Sequence, residues 1–570
     1  MQHHGHEHHR VAPAWSGPVD RPGPCNGRWL PYSPGVLETP LNEAPAGDLD
    51  LFAFSAAGPW VVDPAALEWR RDVGLLRTAS RARVPELTRR RVFPPFGRFA
   101  QAAIALLGAL GGWVLTERRR GDEISRSGLS RRLRRTFERL GPAYIKLGQI
   151  VSSGRGIFPD ELVLEFQKLR DQVPPESFAV VRRVVETELG RPLEEVFSSF
   201  NETCLAAASI AQVHAAVLCS GESVVVKVQR PSVGATVERD VAAMAWIAPW
   251  LVGRLPYAAL ANPPALVELF AETIVEELDF RLEAENMLDI ARVVREAGHA
   301  TVIVPRPHPR LVTRRMLVME RLEGFKVEQV DEMRAAGIQP YDVLRALLIT
   351  FIEGAVIYGV FHGDLHGGNL FITRDSRVAL LDFGMTGRMD ERQRRAFLRL
   401  MMTGMVNDVR SQLEAFRDLG ALDEDADLDA VMKLLRIDEP VRDPTKMQGD
   451  ELIREIQTVL RGLLAQGARV PKHLLFYLKN ILFFDGAISQ LAPDLDIISE
   501  VVRVYGYFAT IHAERIARDI GFDPTAAEVD LSGMRRQLGL EGEVNSLSHR
   551  ELSERRRALD EKLKKATGRS

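Results

Sequence analysis

The chain has 570 residues, 46% of them hydrophobic and 26% charged, with a net charge of −3. The length allows more than one domain, the composition is that of a globular protein, and the balanced charge gives no case for a nucleic-acid partner. Three cysteines, Cys25, Cys204 and Cys219, match neither a disulfide framework nor a metal-ligand spacing, which points to a reducing, cytoplasmic setting.

The chain opens on MQHHGHEHH, read as a flexible tail because no folded surroundings are in view to hold a metal. Residues 1–95 are rich in Pro, Gly and Ala and read as irregular. Residues 99–115, FAQAAIALLGALGGWVL, are apolar except for Gln101, with arginines at 89–91 and 98 before them and at 118–120 after. A helix of that length spans roughly 25 Å, the short end for crossing a bilayer. Arginines on both sides give no orientation, so two readings stand: a docked helix, or one at or in an anionic membrane. Residues 96–200 form a helical extension in this reading, with the strongest helical pattern over 129–189.

A strand-rich stretch follows. Residues 223–229, SVVVKVQ, are a valine-rich strand carrying Lys227, and Ser220 and Gly221 supply the turn before it. Upstream lies a loop of very small residues, Ala206, Ala207, Ala208 and Ser209. A lysine on a strand shortly after such a loop is the layout of a phosphate clamp. Clamps normally use glycine, because backbone N–H groups must come close to the ligand. Alanine Cβ atoms restrict positive φ and predict a stiffer loop, less well aimed at a γ-phosphate. A helical block over 264–297 comes next, then short strands near 301–304 and 315–320, then a mainly helical half from 341 to about 516. That order predicts an α+β, two-lobed protein-kinase-like fold, with lobes at 201–322 and 323–520 and a charged tail at 521–570.

The second lobe carries HGDLHGGN, residues 362–369, and an intact Asp-Phe-Gly from Asp382. Asp364 and Asn369 have the spacing of the kinase catalytic loop H-x-D-x-x-x-x-N. Phosphoryl transfer asks a protein for positioning and charge neutralisation. Asp382 would bridge a Mg²⁺ to the phosphates, Asn369 would complete a second metal site, Asp364 would orient the nucleophile, and Lys227 would hold the α- and β-phosphates of ATP or ADP. Gly363 stands where many protein kinases have the arginine that receives an activation-loop phosphate, and no A-P-E segment follows.

The loop HGDLHGGN looks much like that of aminoglycoside and choline kinases, so it does not decide between families. The segments GPAYIKLGQ, KLRDQVPP, AAASIAQVH, VVVKVQRP, ELDFRLEAEN and LLDFGM together resemble the UbiB family of atypical kinase-like proteins, also called aarF-domain or ADCK proteins, over residues 131–508. The resemblance implies that Glu283 is the helix partner of Lys227, and that Lys146 and Gln149 belong to a Lys-x-Gly-Gln segment capping the active site. It implies that Glu277 and Asp279 form an E-x-D signature; Glu320, at the end of the 315–320 strand, is a further candidate for nucleotide binding. The family's Ser-Thr-Arg-x-Asp is here Ser152, Ser153, Gly154, Arg155 and Gly156, so the docking of that segment is open. The ending EKLKKATGRS has no apolar span, which shifts any membrane role to residues 99–115. The expected function is an ATP- and Mg²⁺-dependent ATPase or atypical kinase supporting isoprenoid-quinone or lipid metabolism, with a membrane surface, a lipid or quinone precursor, or a biosynthetic complex as partner. The alternatives are a small-molecule kinase and a nucleotide-binding scaffold without turnover.

Overall fold

The computed structural model describes residues 53–55, 58–89, 93, 97–119, 122–152, 160–169, 174–251, 263–406, 408–435, 468, 471–527 and 547–566. The His-rich opening, Cys25 and the departure at 153–156 lie outside the described residues. The architecture is α+β: a two-lobed, kinase-like body preceded by helices.

Four helices of the first half position the site or its cap. They are α1 (Arg98–Thr116), α2 (Asp122–Leu140), α3 (Pro142–Ser152) and, after the first strands, α4 (Pro263–Glu277). A fifth, α5 (Phe280–Ala297), follows at once, because Asp279 breaks the run and caps the new helix through the Arg281 N–H at 3.1 Å. The sequence pattern shows one block here; the cap makes it two helices.

The first lobe is an antiparallel sheet of β1 (Phe197–Phe200), β2 (Ala206–Ala207), β3 (Ala211–Leu218), β4 (Ser223–Gln229), β6 (Pro307–Val312) and β7 (Met316–Glu320). Its order is β1-β3-β4-β7-β6, with β2 folded back on β3. The valine alternation of β4 has a clear outcome. Val224, Val226 and Val228 are buried in a core with Val181, Val184, Met316 and Val318, so Lys227 lies on the opposite face.

The second lobe, expected to be mainly helical, also contains short strands. One sheet has the order β5-β11-β10-β8, built from β5 (Val302–Ile303), β8 (Phe325–Lys326), β10 (Leu370–Ile372) and β11 (Val378–Leu380). The ribbon of β9 (Val360–His362) and β12 (Thr386–Arg388) pairs His362 with Thr386. Strands of two or three residues carry no periodicity to read; pairing alone defines them. The helix α6 (Lys472–Leu491) lies against this ribbon, and Phe476 is buried beside Gly363.

Residues 53–55 and 58–87, placed in the irregular region by composition, are folded onto the body. They include helices Val73–Ala82 and Val84–Leu87, and Phe54, Val62, Leu67 and Trp69 join the main core. The segment also fastens the two lobes from behind. The Val304 N–H donates to Ala53 O at 2.8 Å, and Arg377 of the second lobe donates to Phe54 O at 3.3 Å. Trp60 Nε1 donates to Pro307 O at 3.0 Å, on β6 of the first lobe.

Helix α1 is docked along one side only. Ala102 and Ala109 are buried, Trp113 Nε1 donates to Ser125 O of α2 at 2.9 Å, and Arg98 pairs with the buried Asp240. Ile104, Leu107 and Leu115 are 71%, 66% and 85% exposed, a run of apolar surface that the described residues leave uncovered.

Candidate active site

The side of β4 that carries Lys227 faces α5 and the Asp-Phe-Gly segment. Its Nζ lies 2.6 Å from Glu283 Oε1 and 3.4 Å from Asp382 Oδ1. Glu283 stands in the first turn of α5, and the Asp279 cap fixes where that turn begins. Burial works against the charge on Lys227, but the Asp382 and Glu283 carboxylates outweigh it, so the ammonium is held above the ordinary lysine range.

Asp364 and Asp382 are tied together by His362, which is buried between them. The Asp364 N–H donates to His362 Nδ1 at 3.1 Å, so Nε2 carries the proton and donates to Asp382 O. Burial lowers the pKa of this imidazole and keeps it neutral. Asn369 donates to Asp364 O at 3.0 Å, and the Gly384 N–H donates to Asp382 Oδ1 at 2.9 Å. The Asp382 side chain is 47% exposed, which leaves carboxylate oxygen open to the cleft. Burial pushes its pKa up, while Lys227 and Lys146 more than offset this and hold it at about 2.

The cap reaches the same cleft. Lys146 Nζ of α3 lies 2.9 Å from Glu277 Oε1 at the end of α4, and both are nearly buried. A Cβ at Gly148 would meet Leu169 Cδ1 at 2.2 Å, so a larger residue there would displace the buried Leu169 side chain. Gln149, expected to cap the site, donates to Leu169 O at 3.3 Å and so fastens the cap to its own following segment. Asp279 likewise turns to local work, holding Arg281 at 2.7 Å besides capping α5. Glu320, expected at the nucleotide, has its carboxylate on the Ser55 hydroxyl and on the Arg306 N–H at 3.2 Å. Each of its carboxylate oxygens thus has a partner within the protein.

The alanine stretch is a strand and a turn. Ala206 and Ala207 pair with Val213 and Gln212, and the Ala208 N–H donates to Ala211 O at 2.8 Å. Arg230 grips Ala208 O at 3.1 Å and also reaches Pro174 O at 3.0 Å, in the segment after the cap. Ser209 is buried. The Ala208 amide is therefore spent inside the loop. Replacing Ala207 with Gly is expected to loosen the stretch, raising ATP affinity and autophosphorylation severalfold while leaving the melting temperature nearly unchanged. Thermal shift with nucleotide and radiolabel incorporation measure both; a variant matching the parent in both assigns the alanines to packing.

Sequence reasoning missed Lys479 and Asn480 on α6. The Lys479 ammonium pairs with Asp364 Oδ1. Asn480 accepts from the Leu365 N–H at 2.8 Å and donates to His362 O. Burial pushes the Asp364 carboxyl up, but Lys479, with Lys146 behind it, holds it far below the usual range. Two adjacent polar residues inside the apolar run LLFYLKNILFF were the available signal.

Three ammonium groups thus face the carboxyl groups of Glu277, Glu283, Asp364 and Asp382, and burial pushes that of Glu283 up to about 7. Among the described residues no cluster of three or more His, Cys, Asp or Glu could hold a metal unaided. Asp382 and Asn369 offer oxygen ligands, and that small, open set fits Mg²⁺ arriving with phosphates that complete its coordination.

The family model for the ABC1 atypical kinase-like domain matches residues 168–416. An uncharacterised protein of Mycobacterium tuberculosis is 34% identical over 406 residues, 67% of this chain and 78% of that protein. An aarF domain-containing chloroplast protein kinase of Arabidopsis thaliana is 31% identical, over 65% of this chain and 73% of its own length. The probable protein kinase UbiB of a Shewanella species is 31% identical, over 64% and 67% respectively. The chain belongs to the UbiB/aarF family of atypical kinase-like proteins. The matched domain begins at 168, so the Lys146 cap and the lobe-fastening segment of this UbiB-family chain precede it. The Lys227, Glu283, Asp364, Asn369 and Asp382 positions all lie inside it.

Proposed function

We propose that the chain is a Mg²⁺-dependent ATPase or atypical kinase of the UbiB type, acting in isoprenoid-quinone or lipid metabolism at a membrane surface. The observation that carries the nucleotide reading is the convergence of Lys227, Glu283 and Asp382 within 3.4 Å, beside the Asp364–Asn369 loop. Lys227 would hold phosphate oxygens, Asp382 and Asn369 would hold the metal, and Asp364 would orient the attacking group. Mg²⁺, when bound, supplies charge neutralisation on the phosphates. The Lys146–Glu277 bridge ties α3 beside the cleft, which favours a small acceptor or water over a peptide.

The test is release of inorganic phosphate from ATP by the full chain, with Mg²⁺ and with EDTA, in the presence and absence of anionic vesicles. Mg²⁺-dependent release supports the reading. Label recovered on a hydroxylated small molecule would move it to a small-molecule kinase, and no binding or turnover of nucleotide would overturn it.

The membrane reading rests on α1 and the arginines around it. The protein is expected to sediment with phosphatidylglycerol vesicles at low salt, and Ile104→Asp with Leu107→Asp should return most of it to the supernatant. Release of the intact protein by salt would assign binding to the arginines instead. An intact protein that never sediments at low salt would sink the membrane reading.

A further inference from the structure

Phosphoryl transfer places charge on three oxygens of the moving group, and a site of this kind is expected to aim a fixed cation at them. The catalytic loop does not supply one. Between Asp364 and Asn369 stand a buried Leu365, two glycines, and His366, whose ring accepts from the Gly368 N–H at 3.1 Å. Lys227, braced by Glu283 and Asp382, serves the α- and β-phosphates in that reading, and Lys146 pairs with Glu277.

We propose that Lys479 of α6 is the cation that faces the γ-phosphate of the bound nucleotide, supplied to the catalytic loop from a helix distant in sequence. This rests on the nucleotide reading of the cleft. The Lys479 ammonium sits on Asp364, and the two side chains are 20% and 18% exposed, so the pair opens to the cleft. Its position is set by the scaffold. The next residue, Asn480, is fully buried and is bonded to both Leu365 and His362, and Phe476, one turn before, packs beside Gly363. An ammonium has three donors. One is used by Asp364, and among the described residues the others have no partner, which leaves them for phosphoryl oxygen. A nucleophile oriented by Asp364 and the phosphoryl group it attacks would then share one cation, which draws the reacting groups together.

A cation at the γ-position separates triphosphate from diphosphate, which a merely structural lysine does not. Affinities of the full chain for Mg²⁺ with a non-hydrolysable ATP analogue and for Mg²⁺-ADP are measured by calorimetry in the parent, Lys479→Met and Lys479→Arg. Lys479→Met is expected to lose about tenfold in affinity for the triphosphate, as for one charge-assisted contact, and to keep its ADP affinity within about twofold. Lys479→Arg should recover most of the loss. Unchanged affinity for both nucleotides, or an equal loss for both, would overturn the proposal while leaving the nucleotide reading intact. A parent that binds neither nucleotide would overturn the nucleotide reading, and the proposal with it. Should Lys479→Met fail to fold, as judged by its melting transition, Lys479→Gln keeps a polar end against Asp364 and is scored in the same way.

Discussion

Asp382→Asn is expected to abolish Mg²⁺-dependent nucleotide binding, with a loss of at least about 100-fold in affinity, or about 2.7 kcal/mol. The carboxylate is held at about 2, so at neutral pH the parent presents a full negative charge that the amide removes. The fold should survive. Asp382 is half exposed, Lys227 retains Glu283 at 2.6 Å, and the Gly384 N–H can still donate to the amide oxygen. Calorimetric titration with Mg²⁺-ATP, repeated in EDTA, separates metal-dependent binding from any residual contact with the phosphates. Unchanged affinity in the Asn variant would mean that the metal is held elsewhere.

Removing Glu353 should cost stability on a similar scale, far from the cleft. Its carboxylate is fully buried at the end of helix Pro340–Glu353. It accepts hydrogen bonds from His299, from Tyr507 Oη at 3.0 Å and from His512 Nε2 at 2.6 Å. These groups come from two separate parts of the chain, so the carboxylate joins the end of α5 to the end of helix Ile497–Ile511. Burial pushes its pKa up, but the bonds from His299 and His512 outweigh this and hold it at about 2, against 4.5 for an ordinary glutamate. Because the folded value is depressed, the stabilisation is full above about 4.5 and is lost as the pH falls from there towards 2. The difference corresponds to about 3 kcal/mol. Glu353→Ala also takes the acceptor from three partly buried donors, and a total loss of about 3–5 kcal/mol is expected at pH 7. Denaturant melts at pH 7 and pH 3 should show the gap between parent and variant narrowing in acid. A gap under about 1 kcal/mol at pH 7, or one that widens in acid, would contradict this account.

The chemistry of the cleft was legible in sequence because phosphoryl transfer places its demands on short segments. Lys227 on a valine-rich strand, the 364–369 loop and the Asp-Phe-Gly at 382 each keep a fixed local spacing, and their order along the chain already implied two lobes. The alternation of Val224, Val226 and Val228 likewise determined which face of β4 carries Lys227, since one face had to be buried. What each polar side chain touches was decided only by the fold. Gln149 stands where the family pattern places it, yet its amide donates to Leu169 O, and the Glu320 carboxylate holds Ser55 and the Arg306 N–H, contacts that only the folded chain brings together. Lys479 meets Asp364 across 115 residues, and no sequence period relates a helix face to a loop that packs against it from another part of the chain. Residues 53–55 and 58–69 were hidden for a related reason. Their composition is that of a linker, and their order comes from seating Phe54, Val62, Leu67 and Trp69 in a core that the rest of the chain builds.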